Sequence, residues 1–231
     1  MLFTHNHLLL LVLTLGAYAI GVALQRAARR SALLNPTLLA IAIVVTTLWL
    51  LRLDYGAYYS AAQPVHLLLG PAVVALAVPL YRHAALIRER AFDLLVGLVC
   101  GSVSGVVTGM AAAWWLHVPL PGILSIAPKS ATTAVSMEVS AQIGGTPSIT
   151  AVLTILAGIT GAVTGSYLLN ALRVRDPAVR GFSMGLASHG IATARAFQES
   201  DTAGTFAGLA MGLNAVATAI LVPLVLHLLF H

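Results

Sequence analysis

The stretch PGILSIAPKSATTAVSMEVSAQIGG, residues 121–145, is the part of the chain that decides its fold. It is too polar to face lipid along its whole length and too apolar to form a solvated loop, and Pro128 interrupts it near the middle. Residues 177–200, PAVRGFSMGLASHGIATARAFQES, have the same character and are interrupted at Ser188, His189 and Gly190. Irregular backbone at membrane depth is tolerated only where protein or a water-filled cavity covers it. The pattern therefore predicts two broken or re-entrant helices within an all-α polytopic membrane protein.

The composition of the whole chain favours the same class. Of the 231 residues, 59% are hydrophobic and 8% are charged, whereas a soluble domain is about a quarter charged. A spanning helix needs about 20 apolar residues, so the chain has room for about seven or eight membrane segments and no separate soluble domain. The formal net charge of +5 is expected to orient helices through arginines in short loops, and nucleic acid is not an expected partner.

Apolar runs predict the remaining segments. The first is interpreted as a retained helix and not as a cleaved signal peptide, because its arginines follow the apolar run. The predicted spans cover residues 8–24, 33–51, 64–81, 92–116, 147–172 and 203–230. Cys100, the single cysteine, lies in an apolar run and is expected to serve packing only.

The arginines also predict the topology. Three arginine-rich loops, near residues 26–30, 82–90 and 173–180, are assigned to the cytoplasm. Residues 121–145 then begin and end outside, and residues 177–200 begin and end inside. A shift of 60 positions lays Thr133 on Thr193 and Gly144 on Gly204. We therefore predict an inverted repeat, the arrangement expected of a secondary transporter that works by alternating access.

Ionisable and hydroxyl side chains concentrate in the two interrupted regions. An ionisable group at membrane depth costs about 2.5–3.5 kcal/mol even on lenient insertion scales, so it is kept only where it is paired, hydrated or used. The candidate anion-binding groups are Lys129, Ser130, Thr132, Thr133, Ser188, His189, Thr193 and Arg195. Unwound backbone followed by a half-helix N-terminus favours anions, and an arginine can bind a carboxylate with two parallel hydrogen bonds. Glu138 and His189 are candidate proton or coupling-ion groups.

Structural alternatives stand beside these assignments. Lys129 could pair with Glu138, His189 could cap a helix or bond a backbone carbonyl, and Arg195 could extend to the headgroups. Four glycines spaced four apart predict either ordinary helix packing or a surface on which helices slide. They are Gly97, Gly101, Gly105 and Gly109.

Three long segments have an unusual composition: LGPAVVALAVPLY at residues 69–81, PKSATTAVSMEVSAQIGG at residues 128–145 and RGFSMGLASHGIATARA at residues 180–196. They resemble the signature segments of the LrgB/CidB (YohK-like) family. Two positions depart from the family pattern, Ala134 where proline is frequent and Ala192 where glycine is frequent. Both changes imply a stiffer backbone at the interruptions.

The resemblance implies two different functions. Bacterial members are described as holin- or antiholin-like proteins that affect murein hydrolase activity and lysis, with a small LrgA/CidA-like membrane partner. A plastid relative carries a similar domain and is a glycolate/glycerate translocator. The residues favour a secondary carrier of small organic carboxylates such as glycolate, glycerate or pyruvate. The alternative is a holin/antiholin-like protein.

The remaining expectations concern organisation. Residues 1–120 are expected to form a scaffold and residues 121–231 a transport core, with homodimers by analogy with carriers whose scaffolds pair. We expect a bacterial cytoplasmic membrane location, since no transit peptide precedes the first span. No cofactor or metal is expected. Enzyme activity is not expected either, because no Ser-Lys, HExxH or paired-aspartate arrangement occurs.

Overall fold

The described part of the chain is built from helices. The computed structural model describes residues 7–28, 34–68, 71 and 74–230, and every regular element within them is helical. The elements are α1 (His7–Ala27), α2 (Pro36–Leu50), α3 (Tyr55–Leu67), α4 (Ala77–Arg82), α5 (Ala84–Glu89), α6 (Ala91–Trp115), α7 (Leu120–Ile126), α8 (Thr133–Gln142), α9 (Pro147–Ala171), α10 (Pro177–Glu199) and α11 (Asp201–Phe230). They form two compact units, Met1–Ala77 and Val78–His231.

In the first unit, helix α1 packs against α2 and α3. Gly21 lies so close to Pro36 that a β-carbon there would sit 2.7 Å from the Pro36 carbonyl oxygen. Helix α2 begins after Asn35, whose side-chain oxygen accepts a hydrogen bond from the Thr37 amide at 2.9 Å. Proline in the first turn and an asparagine cap are both favourable at a helix start.

The predicted third span, residues 64–81, was wrong in its start. Helix α3 already begins at Tyr55, because Asp54 accepts a hydrogen bond from the Ala57 amide at 2.9 Å and caps it. Pro64 therefore lies inside α3, and α4 is a separate helix. Residues 69, 70, 72 and 73 of the predicted span lie outside the described residues.

Four described helices are long and apolar enough to cross a membrane. They are α1, α6, α9 and the Asp201–His227 part of α11, while α2 is apolar but shorter. Each matches an apolar run in the sequence. The total of seven or eight membrane segments stays a prediction, because it also counts the interrupted regions.

The first interrupted region is a hairpin of two short helices. Helices α7 and α8 are joined by turns over residues 127–132, so the predicted break at Pro128 is confirmed. The chain folds back, since a β-carbon on Gly145 would lie 3.1 Å from the Ser125 amide nitrogen. Thr150 joins the limbs by donating to Ser125 O at 2.9 Å and to Ser140 Oγ at 2.7 Å.

The second interrupted region, α10, also folds back on itself. Its backbone leaves the helical range at Ser188 (φ −144°, ψ 22°) and His189 (φ 43°, ψ −140°), so the predicted break there is confirmed. At the open end, Arg180 Nε donates to Glu199 Oε2 at 2.9 Å. Positive φ is strained for a residue other than glycine. Tertiary contacts must therefore hold His189 in place.

The second hairpin packs tightly on α11. Gly181 and Gly185 lie directly against the backbone of Ala203 and Ala207, where a β-carbon would collide with the carbonyl oxygens. Small residues at such positions let helix backbones approach closely in membranes. This contact brings α11 beside the first limb of the hairpin, and Gly204 of α11 lies against Phe197 of the second limb.

The second unit contains α6 together with both hairpins, α9 and α11, so its boundary at Ala77/Val78 lies upstream of residue 120. The division into a scaffold before residue 120 and a transport core after it is a functional prediction and stays one.

Candidate functional site: a cleft at two hairpin tips

The two hairpins converge on one fully buried side chain, Asn214 of α11. Its Nδ2 donates to the carbonyl oxygen of Ser130 at 2.9 Å, at the tip of the first hairpin. The same nitrogen donates to Leu186 O at 3.0 Å, two residues before the break of the second hairpin. Ser102 of α6 donates to Asn214 Oδ1 at 2.6 Å. A single amide therefore ties α6 and both hairpins to α11.

A cleft of about 520 Å³ lies between α6 and the hairpins. Its wall on α6 is formed by Gly97, Gly101 and Gly105, and Phe182 and Leu186 of the second hairpin face it. Lys129 and Ser130 line the cleft as well. Three of the four glycines singled out in the sequence thus line the cleft. Gly101 in addition contacts Leu186, where a β-carbon would not fit.

Lys129 brings a positive charge into this cleft. The side chain is half-buried, and its Nζ donates to Gly105 O at 3.3 Å. No carboxylate among the described residues lies within 4.0 Å of it, since the ion pairs there involve other groups. The alternative pairing of Lys129 with Glu138 is wrong, because Glu138 is exposed and accepts a hydrogen bond from Gln142 at 3.1 Å.

The hydroxyl groups near Lys129 do not all lie at the cleft. Ser130 lines the cleft, whereas Thr132 and Thr133 are half-buried where α8 begins, with Thr132 as its N-cap residue. Ser136, one turn further, is buried and donates to Pro128 O at 2.6 Å, which holds the turn in shape. Of the predicted anion-binding groups in this hairpin, the structure places Lys129 and Ser130 at the cleft.

The tip of the second hairpin points into α9. Ser188 lies against Gly161 and His189 against Gly158, where a β-carbon would sit 2.7 Å from the imidazole. His189 Nε2 lies 2.8 Å from Thr154 O. The structural alternative, in which His189 bonds a backbone carbonyl, is therefore confirmed.

The second limb carries the last two predicted groups. Thr193 is buried and donates to His189 O at 2.9 Å, so it stabilises the break. Arg195 is half-buried and donates to Gln198 Oε1 at 3.0 Å. Ser188, His189, Thr193 and Arg195 do not line the cleft with Lys129. Their role in anion binding stays a prediction.

An ion pair lies at the other end of the cleft. Arg90 and Asp93 line it there, and Arg90 Nη1 donates to Asp176 Oδ2 at 2.5 Å. Asp176 also caps α10, accepting from the Ala178 amide at 2.8 Å. The hydrogen bond from Arg90 holds the pKa of the Asp176 carboxyl below its ordinary value.

Sequence reasoning missed Asn214 and Arg90. Asn214 stands alone in the apolar sequence AMGLNAVATA, and a lone amide within a span is the signal that indicates a polar contact. Arg90 was interpreted only as a topology signal. Among the described residues no group of three histidine, cysteine or acidic side chains could hold a metal ion.

These features define a multi-pass helical membrane protein with two hairpins and a cleft that a lysine lines. The chain belongs to the LrgB-like family, whose model matches residues 14–228. It is 34% identical to the uncharacterized protein YxaC of Bacillus subtilis over 97% of this chain and 96% of that protein. It is 31% identical to the holin-like protein CidB of Staphylococcus epidermidis over 96% of each chain. No solved structure matches the chain.

Proposed function

We propose that this chain is a holin-like membrane protein of the LrgB-like family that changes the permeability of a bacterial cytoplasmic membrane through the cleft at Lys129. The observation that carries the proposal is its likeness over nearly the full length to relatives named holin-like protein CidB. As in the family it resembles, it would modulate murein hydrolase activity and lysis, together with a small LrgA/CidA-like membrane partner.

The second candidate is a carrier of small organic carboxylates. It is favoured by Lys129, a half-buried cation that faces a cleft and has no carboxylate within ion-pair distance in the described part of the chain. Such a charge is expensive in a membrane unless an anion or water compensates it. A nonspecific membrane lesion has no use for it, whereas a binding site for glycolate, glycerate or pyruvate does.

The hairpin contacts support the inverted repeat that a carrier requires. The first tip, at Ser130, is bonded to Asn214, and the second tip, at His189, is bonded to Thr154. Thr154 and Asn214 lie 60 positions apart in the sequence, the offset that also aligns the two interrupted regions. Each tip thus contacts the long helix that follows the other hairpin. Two such units, moving together against the remaining helices as a homodimer, would provide alternating access.

The two candidates are compatible with each other. A carrier that changes the concentrations of small carboxylates and protons also changes the conditions under which envelope hydrolases act. Lysis would then follow from metabolite or proton imbalance, without a lesion in the membrane.

Transport into liposomes separates the candidates. Purified protein in liposomes is tested for uptake of labelled glycolate, pyruvate and lactate, with and without a pH gradient. Lys129→Ala and Arg195→Ala are compared with Arg88→Ala, which removes an exposed cation outside the cleft. Saturable uptake that is lost in Lys129→Ala and kept in Arg88→Ala supports the carrier. Nonsaturable leakage that is the same in wild type and Lys129→Ala contradicts the carrier. The holin-like function would then have no binding site for a solute.

Lysis is tested in cells. The wild-type chain and Lys129→Ala are expressed at equal membrane levels in a bacterium that lacks its own family members. The holin-like proposal expects the wild-type chain to change the rate of autolysis and the murein hydrolase activity of the culture. An unchanged autolysis rate at full expression would count against it.

A further inference from the structure

The cleft along α6 has charged groups at its two ends. Lys129 lies at one end, beside Gly105, and Arg90 and Asp93 lie at the other. Asp93 and Gly105 are separated along α6 by about 18 Å, since an α-helix rises about 1.5 Å per residue. The cleft volume of about 520 Å³ lies within the range of about 300–1,000 Å³ for pockets that bind drug-sized ligands. A two- or three-carbon acid would therefore fill only a small part of the cleft.

The wall between the two ends is apolar. It is formed by Leu94 of α6 and by Val179, Phe182 and Leu186 of the second hairpin. Ser183 carries a hydroxyl group on this wall, but the hydroxyl already donates to Val179 O at 2.9 Å. A hydroxyl group of a solute that is buried without a partner costs free energy. The wall therefore favours a hydrocarbon chain over a chain of hydroxyl-bearing carbons.

The end at Lys129 offers hydrogen-bond donors to a solute. An ammonium group has three N–H donors, and Lys129 Nζ makes one hydrogen bond, to Gly105 O at 3.3 Å. Ser130 lines the cleft beside it, and its Oγ has no hydrogen-bond partner within the described residues. One positive charge with one hydroxyl group beside it matches the charge and the two oxygens of one carboxylate.

The opposite end disfavours a second negative charge on the solute. Arg90 is paired there with Asp176, and Asp93 adds another carboxylate. Two carboxylates thus stand beside one guanidinium, and like charges placed together repel each other. Among the charged groups that line the cleft in the described part of the chain, Lys129 is the cation that is not already paired with a carboxylate.

We propose that the cleft binds a monocarboxylate whose tail is an unsubstituted hydrocarbon chain, longer than the methyl group of pyruvate. The carboxylate contacts Lys129 and Ser130, and the tail lies along Phe182 and Leu186. This inference narrows the solute class of the carrier candidate and rests on its solute site at Lys129, but binding does not require movement across the membrane. The competing account is a cleft that holds the acyl chain of a membrane lipid and makes no use of Lys129.

The experiment measures binding of labelled hexanoate to the purified full chain in detergent. Unlabelled acetate, butanoate, hexanoate and octanoate compete with it, beside hexanamide, pentanedioate, glycolate and glycerate. Affinity for the fatty acids should rise about fourfold for each added methylene group, as burial in an apolar site predicts. Hexanamide, pentanedioate and the two hydroxy acids should bind more weakly than hexanoate by roughly tenfold or more.

Lys129→Met keeps the length of the side chain, removes its charge and should abolish the specific binding of hexanoate. Glycolate or glycerate binding as tightly as hexanoate would overturn the proposal. Equal binding of hexanamide and hexanoate, unchanged in Lys129→Met, would overturn it in favour of the lipid acyl chain.

A second variant tests the position of the tail. Gly97→Leu places a side chain in the cleft about 12 Å from Gly105 along α6. Affinity should then stop rising at a shorter chain than in wild type, and acetate binding should stay the same. Gly212→Leu adds the same side chain at an exposed position that does not line the cleft, and should keep the wild-type profile. If Lys129→Met does not fold, Gly97→Leu decides, since an unchanged chain-length profile contradicts the proposal.

Failure of this proposal can be distinguished from failure of the carrier. Hexanoate binding without uptake into liposomes would contradict the carrier and leave the ligand class standing. Saturable glycolate uptake with which hexanoate does not compete would contradict the ligand class and leave the carrier standing.

Discussion

Arg180 is the residue that holds the open end of the second hairpin together. Its guanidinium donates to Glu199 Oε2, to Asn170 Oδ1 and to the carbonyl oxygen of Val174, each at 2.9 Å. The side chains of Arg180 and Glu199 are 12% and 19% exposed, so solvent screens the pair only weakly. Removing one partner leaves a mostly buried charge without compensation.

We therefore expect Arg180→Ala to lower the free energy of unfolding by about 1.5–3 kcal/mol, the range for hydrogen bonds to charged groups. Denaturant unfolding in detergent measures this. Arg175→Ala, which removes an exposed arginine five residues away, serves as the control and should change stability by less than about 0.5 kcal/mol. Equal effects of the two substitutions would show that the Arg180 contacts contribute little.

Asp176 gives the protein an acid-sensitive contact. Its folded-state pKa is depressed by the hydrogen bond from Arg90, so its contribution to stability is present above the unfolded-state pKa. That contribution is lost as the pH falls through the lower folded-state pKa. Arg90→Gln should therefore flatten the acid side of the curve of unfolding midpoint against pH, and Arg88→Gln should not. Parallel acid limbs in wild type and Arg90→Gln would contradict the pairing.

Individual residues were predictable only where chemistry and sequence position coincide. Lys129 stood out because a cation follows a proline break, and the structure places it at the cleft. Arg195 and His189 stood out for the same chemical reason but are directed to Gln198 and Thr154. The rotation of a helix about its axis decides which neighbour a side chain faces. A single apolar sequence carries little information about that rotation. Asn214 was overlooked because it lies among apolar residues far from either break.

At the scale of elements, the interruptions were predictable because polar residues and breaking residues coincide there. The first residue of α3 was not predictable, because it depends on the cap at Asp54. That aspartate lies outside the apolar run from which the span was predicted. The glycine stripe of α6 was predicted to be a contact or sliding surface. The structure shows that it also lines a cleft. The cleft exists because of the positions of Phe182 and Leu186 in the second hairpin, on its opposite wall.

The contact between the second hairpin and α11 depends on the absence of side chains. A β-carbon on Gly185 would collide with the carbonyl oxygen of Ala207, which is backbone and cannot move aside alone. We expect Gly185→Ala to lower the free energy of unfolding by about 1–3 kcal/mol, as overpacking does. Gly212→Ala is the matched control, because nothing lies within 4 Å of its β-carbon position. It should be neutral or should stabilise the helix by up to about 1 kcal/mol.

The measurement is the thermal unfolding midpoint of each variant in the same detergent. Separation of the hairpin from α11 should also loosen the Asn214 contacts, since Leu186 is the neighbour of Gly185. Gly185→Ala unfolding at the wild-type midpoint would show that the hairpin shifts along α11 without loss of stability.

For the whole molecule, the decisive property is the side of the membrane on which each hairpin begins and ends. Both fold back on themselves, as Gly145 beside Ser125 and Arg180 beside Glu199 show. A segment that folds back on itself should begin and end on the same side of the membrane. The long helix α9 connects the hairpins and is long and apolar enough to cross the membrane, so the two pairs of flanks should lie on opposite sides. Arginine placement further predicts that the flanks of the second hairpin are cytoplasmic.

Single cysteines in a Cys100→Ser background test this arrangement in intact cells, using a thiol reagent that does not cross membranes. The substituted positions are exposed ones, Leu116→Cys and Ser148→Cys beside the first hairpin, and Ala171→Cys and Asp201→Cys beside the second. The first pair should react in intact cells, and the second pair only after the membrane is opened. If the two flanks of one hairpin differ, that region crosses the membrane and is not re-entrant. If all four positions react alike, the hairpins do not enter from opposite faces, and a carrier built on an inverted repeat is contradicted.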